Sequence, residues 1–271
     1  MRKIISYSVG EVVPYINWLY FFHAWGLKPT QQEERRKLRA DADRMLQVLD
    51  TRYRTYAVFL VDEANSDGDD LIIGETRVPL LRQQESQTAG MPNLCLADFV
   101  RPLSSGVKDM AGVFASSVDI AMEKDFAADD YERMLVQILA DRLAEATTEL
   151  MHLQVRKNYW GYAPDENLSM DQLHSEEYQG IRPAVGYPSL PDVSLNFVLD
   201  SMITMKDIGI RLTESGAMKP HASVSGLMFS HPKAHYFDLG KIGEDQLRDY
   251  ARRRGLPLEV MRHFLQSSLM K

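Results

Sequence analysis

The sequence predicts an α+β fold, in which helices pack around an antiparallel sheet. Residues 55–61 (TYAVFLV) and 71–78 have the pattern of two strands, and the turn-rich segment NSDGDD between them is typical of a hairpin. The helical patterns lie before and well after this hairpin and do not alternate with single strands. This arrangement argues against the βαβ rhythm of a parallel sheet.

The other elements follow in chain order. Residues 31–52 carry apolar side chains at helical spacing, and residues 112–118 predict a further strand. Residues 128–158 predict a long helix, whose apolar stripe consists of Leu135, Ile138, Leu139, Leu143, Ala146, Leu150 and Leu153. Residues 224–229 and 236–242 then predict a second strand pair on either side of SHPKAH.

Two short helices, residues 245–254 and 257–266, close the chain, and Gly255 is expected to cap the first of them. No repeat or low-complexity linker interrupts the pattern. Length alone allows one large domain or two small ones, and 271 residues with 45% hydrophobic content can bury a sizeable core. We expect a single domain over residues 1–271.

Composition argues against several classes of protein. The net charge is −7, from 31 basic and 38 acidic residues, and no basic stripe is present, which disfavours binding to nucleic acid. The apolar run at residues 19–27 contains His23 and is shorter than the roughly 20 residues of a membrane span. A single cysteine, Cys95, excludes an internal disulfide and favours a reducing compartment. Since no secretory cleavage pattern follows Met1, we expect a cytoplasmic protein without a membrane partner.

No catalytic or metal-binding constellation stands out. The GxSxG, GxxxxGK[ST] and GxGxxG motifs are absent from the sequence. His231 and His235 flank Pro232, which argues against one helical face and hence against a zinc pair. We therefore predict no catalytic side chain and no metal site.

The most informative segment is GIRPAVGYPSLPD, residues 180–192, called the 180–192 loop below. Its three prolines fix φ and remove donors, so we expect a rigid, shaped loop in place of a helix or a central strand. The loop carries Arg182, a planar cation suited to a carboxylate, and Tyr187, an aromatic ring with a polar tip. This pair fits a ligand that has both a carboxylate and a ring. The simpler alternative is that Arg182 pairs with a surface carboxylate while Tyr187 packs on the core.

Further segments carry a resemblance to a known family, namely residues 212–232 (LTESGAMKPHASVSGLMFSHP), 160–169 (WGYAPDENLS), 95–100 (CLADFV) and 140–146 (ADRLAEA). Together with the 180–192 loop, they closely resemble the C-terminal activation domain of cobalamin-dependent methionine synthase. The resemblance covers nearly the whole chain, in one order and with few gaps. It begins at INWLYFFHAWGL near Ile16 and ends at DYARRRGL near Asp249.

The resemblance implies a specific task. In such enzymes cobalamin is occasionally oxidised to an inactive state, and the activation domain supplies S-adenosylmethionine so that reductive methylation restores methylcobalamin. A flavodoxin-like reductant provides the electron. The chain starts at Met1 and has no Asp-x-His-x-x-Gly segment of the kind that supplies the cobalamin ligand. We therefore expect a free-standing component of a methionine synthase, with cobalamin carried by the cobalamin-binding domain of a separate partner.

The resemblance also implies which residues bind S-adenosylmethionine. Arg182 resembles the arginine that holds the methionyl carboxylate, and Ala184 resembles the small residue whose backbone meets the adenine. Tyr187 resembles the tyrosine placed between the nucleotide and the face of cobalamin. Tyr236 and Phe237 resemble two adjacent aromatic residues that line the pocket, the second of which is usually tyrosine.

Several positions depart from the family pattern and keep two functions open. Asn17 stands where an acidic residue is usual, available to the cationic part of the ligand. Val193 replaces the histidine of a Pro-acid-His-Thr segment, and Lys219 and Leu227 stand where tryptophan is common. The first function is S-adenosylmethionine-dependent reactivation of a cobalamin protein. The second is that of a diverged docking or regulatory module that still meets a cobalamin-binding partner and no longer binds the nucleotide.

Asp141 and Glu145 lie four residues apart on the predicted long helix, on a face away from its leucine stripe. Two like charges at this spacing destabilise a helix by roughly 0.2 to 0.5 kcal/mol. One interpretation is a solvated face that tolerates this cost. The family resemblance implies another, in which the two carboxylates hold the partner's histidine after it leaves cobalt.

Overall fold

The computed structural model describes residues 1–85, 90, 92–126 and 128–270. In this part of the chain, six antiparallel strands form the central sheet, and two very short strands form a separate ribbon. The sheet contains β1 (Arg2–Ser8), β2 (Arg54–Asp67), β3 (Asp70–Ile73), β4 (Thr76–Pro79), β5 (Asp109–Val118) and β8 (Ser223–Met228), and the ribbon contains β6 (Arg211–Leu212) and β7 (Met218–Lys219). The strand order is β4-β3-β2-β5-β8, and β1 pairs with the part of β2 that β3 leaves uncovered.

Helices cover the sheet and its ends. They are α1 (Val9–Val12), α2 (Trp18–Ala24), α3 (Gln32–Arg52), α4 (Met122–Asp125), α5 (Asp130–Gln154), α6 (Met170–His174), α7 (Leu195–Ile203), α8 (Glu244–Arg254) and α9 (Leu258–Phe264). The predicted α+β class is confirmed. No helix among the described residues is long and apolar enough to cross a bilayer.

The two central strands are buried on both faces. Phe59 of β2 lies opposite Phe114 of β5, and both pack into the cluster that includes α3 and α5. Their neighbours Val58 and Val113 point the other way, into the cluster that includes α7. Successive residues of a strand face opposite sides, so each strand contributes to two apolar layers. A third cluster joins α8 and α9 to Leu81.

The longest predicted helices are confirmed. Residues 31–52 form α3, and the core of residues 128–158 forms α5, whose N-cap is Asp129. The chain then continues from Val155 to Tyr159 as a wider π-type turn. The two C-terminal helices are also present, and Gly255 ends α8 with a φ of 65°.

Two strand predictions are wrong in detail. Residues 71–78 form two strands, β3 and β4, because the chain reverses at Gly74, whose φ is 56°. Residues 236–242 contain no strand, and within this segment Ile242 forms an isolated bridge with Leu269. Tyr236 and Phe237 both line one cleft, whereas adjacent residues of a strand would face opposite sides. The sequence patterns also miss β1 and α7.

Candidate functional site

A cleft of about 770 Å³ lies between α5, the 180–192 loop and the segment that follows β8. Small-molecule sites typically measure roughly 300 to 1,000 Å³. The cleft brings together residues that are up to 223 positions apart in the sequence, from Tyr15 to Asp238. All six residues predicted to bind the nucleotide line it: Asn17, Arg182, Ala184, Tyr187, Tyr236 and Phe237.

The 180–192 loop is held against the edge of β8. Ala184 lies opposite Gly226, and Leu227 N donates to Pro183 O at 3.1 Å. Pro183 has no N–H to donate, so the contact forms isolated bridges and not a regular strand. A Cβ atom on Gly226 would lie 2.1 Å from Pro183 O, closer than real contacts allow. Glycine at this position therefore lets the loop approach the sheet.

The backbone of Ala184 presents a donor to the cleft. At its bridge with Gly226 the hydrogen bonds are made by the neighbouring residues, so the N–H and C=O of Ala184 point away from β8. Its C=O accepts from Tyr187 N at 3.3 Å. Its N–H has no acceptor among the described residues. The loop thus offers one backbone donor to the cleft, at a position where the small alanine side chain leaves room for a ligand.

Arg182 is paired inside the protein. Its Nη1 donates to Tyr178 Oη at 2.6 Å and to Glu149 Oε1 at 3.3 Å, and its Nη2 donates to Glu149 Oε2. The two side chains are 14% and 7% exposed, so this carboxylate is buried and does not lie on the surface. Burial disfavours the Arg182 cation, but the attraction of the Glu149 carboxylate is stronger than this effect. The pKa of Arg182 is therefore held well above its usual range.

A buried histidine supports this arginine. His152 Nδ1 lies 2.8 Å from Arg156 Nη1 and 3.1 Å from Arg182 Nη1. Guanidinium groups only donate, so Nδ1 is unprotonated and accepts from both. Complete burial and the two neighbouring cations hold the pKa of His152 well below its usual value. Arg156 is itself fixed by two bonds to Glu166, at 2.8 and 2.7 Å.

Three of the predicted site residues are aromatic. Tyr187 is 55% exposed at its mouth, so the alternative in which this ring packs on the core is wrong. Burial and the nearby Glu145 raise the pKa of Tyr187. Tyr236 Oη accepts a bond from the backbone N–H of Arg182 at 3.0 Å. Phe237 lies deeper, with its ring 6.4 Å from that of Phe99.

Two further polar residues line the cleft, Asn17 and Glu176. Asn17 is the N-cap of α2, because its Oδ1 accepts from Leu19 N at 3.1 Å. Its amide therefore has a structural task in addition to its place in the cleft. Glu176 also lines the cleft and has a φ of 58°, which is uncommon for a residue other than glycine. Partial desolvation raises the pKa of its carboxyl group, and Arg182 opposes this shift.

Asp141 and Glu145 are separated by the rim of the cleft. Glu145 lines the cleft and accepts from Arg142 Nη1 at 2.8 Å, while Asp141 lies outside the lining. Asp141 Oδ1 is 3.5 Å from Nδ1 of His221, a highly exposed residue. Burial raises the pKa of Glu145, and Arg142 counteracts it. The two carboxylates share one partly exposed face of α5, as the spacing predicts.

Metal ligands do not converge in the described part of the chain, where no three His, Cys, Asp or Glu residues could hold an ion. His231 and His235 both lie against the ring of Phe99, at centroid distances of 6.2 and 5.7 Å. Their spacing reflects packing on this ring.

The family model for the activation domain of vitamin B12 dependent methionine synthase matches residues 8–255. This chain belongs to that family. Among solved structures, a crystal structure of the MetH reactivation domain bound to AdoHcy is 40% identical in sequence, with a TM-score of 0.95. The match covers 100% of this chain and 91% of that chain. The family and the fold predicted from the sequence are thereby confirmed for an activation domain of a B12-dependent methionine synthase.

Sequence patterns missed part of the site of this activation domain. Glu149 and His152 follow Glu145 on the same face of α5, at helical spacings of four and three. The sequence does contain a sign of these two residues, since polar residues interrupt an otherwise apolar helix near its C-terminal end. Tyr178 and Glu176 lie in an irregular segment after α6, where no periodicity marks them.

Proposed function

We propose that this chain reactivates a cobalamin-dependent methionine synthase by binding S-adenosylmethionine in the cleft. The observation that carries the proposal is the convergence of a preset cation, Arg182, with a free backbone donor at Ala184 and an exposed ring at Tyr187. These are the chemical groups that a carboxylate, an adenine and a flat cofactor face require. The AdoHcy bound to the similar MetH domain has the same nucleoside and amino-acid parts as S-adenosylmethionine.

Each part of the ligand has a matching group in the cleft. Arg182 would hold the carboxylate by charge-assisted bonds, and the N–H of Ala184 would meet the adenine. Glu176 would face the cationic part of the ligand, which Asn17 can meet only with a dipole. Tyr236 would pack beside the ligand, since its hydroxyl is already held by the backbone of Arg182.

The partner would carry cobalamin. When bound, cobalamin supplies a cobalt centre that can accept a methyl group once a flavodoxin-like reductant has supplied an electron. Methyl transfer from a sulfonium needs no protein nucleophile. The residues of this chain therefore contribute by binding and orientation, which can account for a large part of a rate enhancement. Tyr187 stands at the mouth of the cleft, where it would lie between the bound nucleotide and the docked partner.

Asp141 and Glu145 would receive the partner's histidine when it leaves cobalt. Negative charge favours a protonated imidazole and so favours the detached state. In the free chain the Arg142 guanidinium lies beside Glu145, and the His221 imidazole lies beside Asp141. We infer that docking exchanges one or both of these contacts for the partner's imidazole.

The alternative of a docking module without nucleotide binding draws support from the neutral amide of Asn17, which caps α2. Glu176 weakens that alternative, because it supplies a carboxylate to the same cleft.

A thermal-shift titration with S-adenosylmethionine separates the two functions. Ligand at 100 times its dissociation constant stabilises a protein by about 2.7 kcal/mol. A saturable rise in melting temperature supports reactivation, whereas no shift at millimolar ligand supports the docking module. The second step is to mix the chain with a cob(II)alamin-loaded partner, reductant and S-adenosylmethionine, and to follow formation of methylcobalamin by visible absorption.

A further inference from the structure

We infer that Glu149 is a positioning residue that fixes Arg182 so that the cleft selects an amino-acid zwitterion over a dianionic phosphate. This inference rests on the proposed function and adds to it the residue that sets ligand class. Glu149 does not have to touch the ligand. It acts through the orientation and the net charge of the Arg182 guanidinium.

The orientation follows from which edge of Arg182 is occupied. Nη1 and Nη2 both point at Glu149, so the outer edge of the guanidinium is filled by one bidentate carboxylate. A guanidinium has a second bidentate edge, made of Nε–H and the remaining Nη2 hydrogen. Neither donor has an acceptor in the part of the chain that is described. Since Arg182 lines the cleft, this edge is the one left for a ligand carboxylate.

His152 prevents the guanidinium from turning. Its Nδ1 accepts from Arg182 at 3.1 Å on the side away from the ligand edge, and Tyr178 Oη accepts from the same Nη1 at 2.6 Å. The imidazole is wholly buried and is locked by Arg156. A turned guanidinium would give up three partners, and buried donors without partners are unfavourable.

The charge balance determines which ligands fit. Arg182 and Glu149 together carry no net charge, and both are largely withdrawn from water. A ligand carboxylate added to this pair leaves one negative charge, which a zwitterion offsets with its own ammonium group. A phosphate dianion brings two negative charges without an ammonium group, and it also meets the carboxylate of Glu176. Desolvating such an unbalanced anion is costly.

The experiment compares two ligands that share adenosine, S-adenosylhomocysteine and adenosine monophosphate, by calorimetry. The parent should prefer S-adenosylhomocysteine by at least about 100-fold. Glu149→Gln removes the balancing charge, so this preference should fall by at least about tenfold, the lower end of the effect of one charge-assisted hydrogen bond. Glu177→Gln is the matched control, because it removes the same charge next to Glu176 but lies outside the cleft lining and accepts from Gln172. Its preference should change by less than about threefold.

The outcomes separate this inference from the proposed function. Equal changes of preference in Glu149→Gln and Glu177→Gln would show a general effect of the lost charge and overturn the inference, while the proposed function would stand. A parent that binds adenosine monophosphate as tightly as S-adenosylhomocysteine overturns it even if Glu149→Gln does not fold. A parent that binds neither S-adenosylhomocysteine nor S-adenosylmethionine overturns the proposed function and the inference with it. Glu149→Asp keeps the charge, so it should keep the preference and weaken both ligands.

Discussion

The contact between Gly226 and the 180–192 loop makes Gly226→Ala a sharp test of how the cleft is built. The new Cβ would lie 2.1 Å from Pro183 O and 2.9 Å from the Cα of Ala184. Both are backbone atoms, so rotation of a side chain cannot relieve the clash. Nonbonded carbon and oxygen atoms need roughly 3.3 Å, and the loop must therefore retreat by about 1 Å.

The expected loss has two parts. Overpacking of this kind typically costs about 1 to 3 kcal/mol of folding stability, and each strained bridge hydrogen bond adds roughly 0.5 to 1.5 kcal/mol. The bonds at risk are Leu227 N to Pro183 O, at 3.1 Å, and Val185 N to Ser225 O, at 2.9 Å. Displacement by about 1 Å also moves Ala184 and its neighbours, and misplacement of that size can cost about 100-fold in function.

The assays are chemical denaturation for stability and calorimetry for S-adenosylmethionine affinity. Gly112→Ala is the matched control, because its Cβ would meet the side chain of Met228, with Cε at 2.7 Å. A methionine end can move, so this variant should lose less stability and keep its affinity for the nucleotide. Affinity in Gly226→Ala within twofold of the parent would refute the view that the sheet edge positions the loop.

Four further outcomes follow from the cleft. Arg182→Lys keeps Glu149 paired but loses the planar fork, so calorimetry should show S-adenosylmethionine binding weaker by about 1.5 to 3 kcal/mol, and unchanged binding would contradict the assigned role. Asn17→Asp still caps α2 and adds charge, so binding should tighten by about 1 to 2 kcal/mol; weaker binding would count against a cationic ligand group there. In the parent, affinity for S-adenosylmethionine should fall as the pH is lowered through the raised pKa of Glu176, because protonation removes the negative charge that attracts a cation. Glu176→Gln should bind S-adenosylmethionine weakly at every pH in the same calorimetric titration. The double variant Asp141→Asn, Glu145→Gln should leave nucleotide binding intact. It should reduce the fraction of histidine-detached cobalamin, which the visible absorption spectrum of the complex with the partner reports. Identical spectra for parent and variant would show that these residues form only a solvated face.

Sequence periodicity predicts the parts of this fold that are long and regular. The leucine stripe that includes Leu139 and Leu143 identifies α5, and the short apolar run around Phe59 identifies β2. It fails at residues 236–242, where apolar residues such as Phe237 and Leu239 suggest a strand. The backbone there instead follows the cleft wall, and Leu239 N donates to Pro188 O. That pairing is with a loop, and no local pattern in the sequence encodes it.

The residues of the candidate site also fall into those that the sequence predicts and those that it does not. Arg182 and Tyr187 can be found because prolines mark the loop that carries them, and the six resemblance-based residues line one cleft. Glu149 cannot be assigned from its own neighbourhood, because its partner Arg182 is 33 residues away. A carboxylate on a largely apolar helix needs a cation, but the sequence does not say which of the 31 basic residues supplies it.

Three carboxylates lie at regular spacing along α5 and would connect the nucleotide site to the partner surface. Asp141, Glu145 and Glu149 occupy successive turns of one helix face, so about 12 Å separates the first from the last at 1.5 Å per residue. Like charges at these spacings oppose the helix, but Glu145 is paired with Arg142, and Glu149 with Arg182. Under the proposed function, the Glu149 end orients the methyl donor and the Asp141 end receives the detached imidazole. Because α5 is packed against the sheet along this stretch, it would hold the two events at a fixed separation and would set how far the partner's cobalt lies from the bound nucleotide.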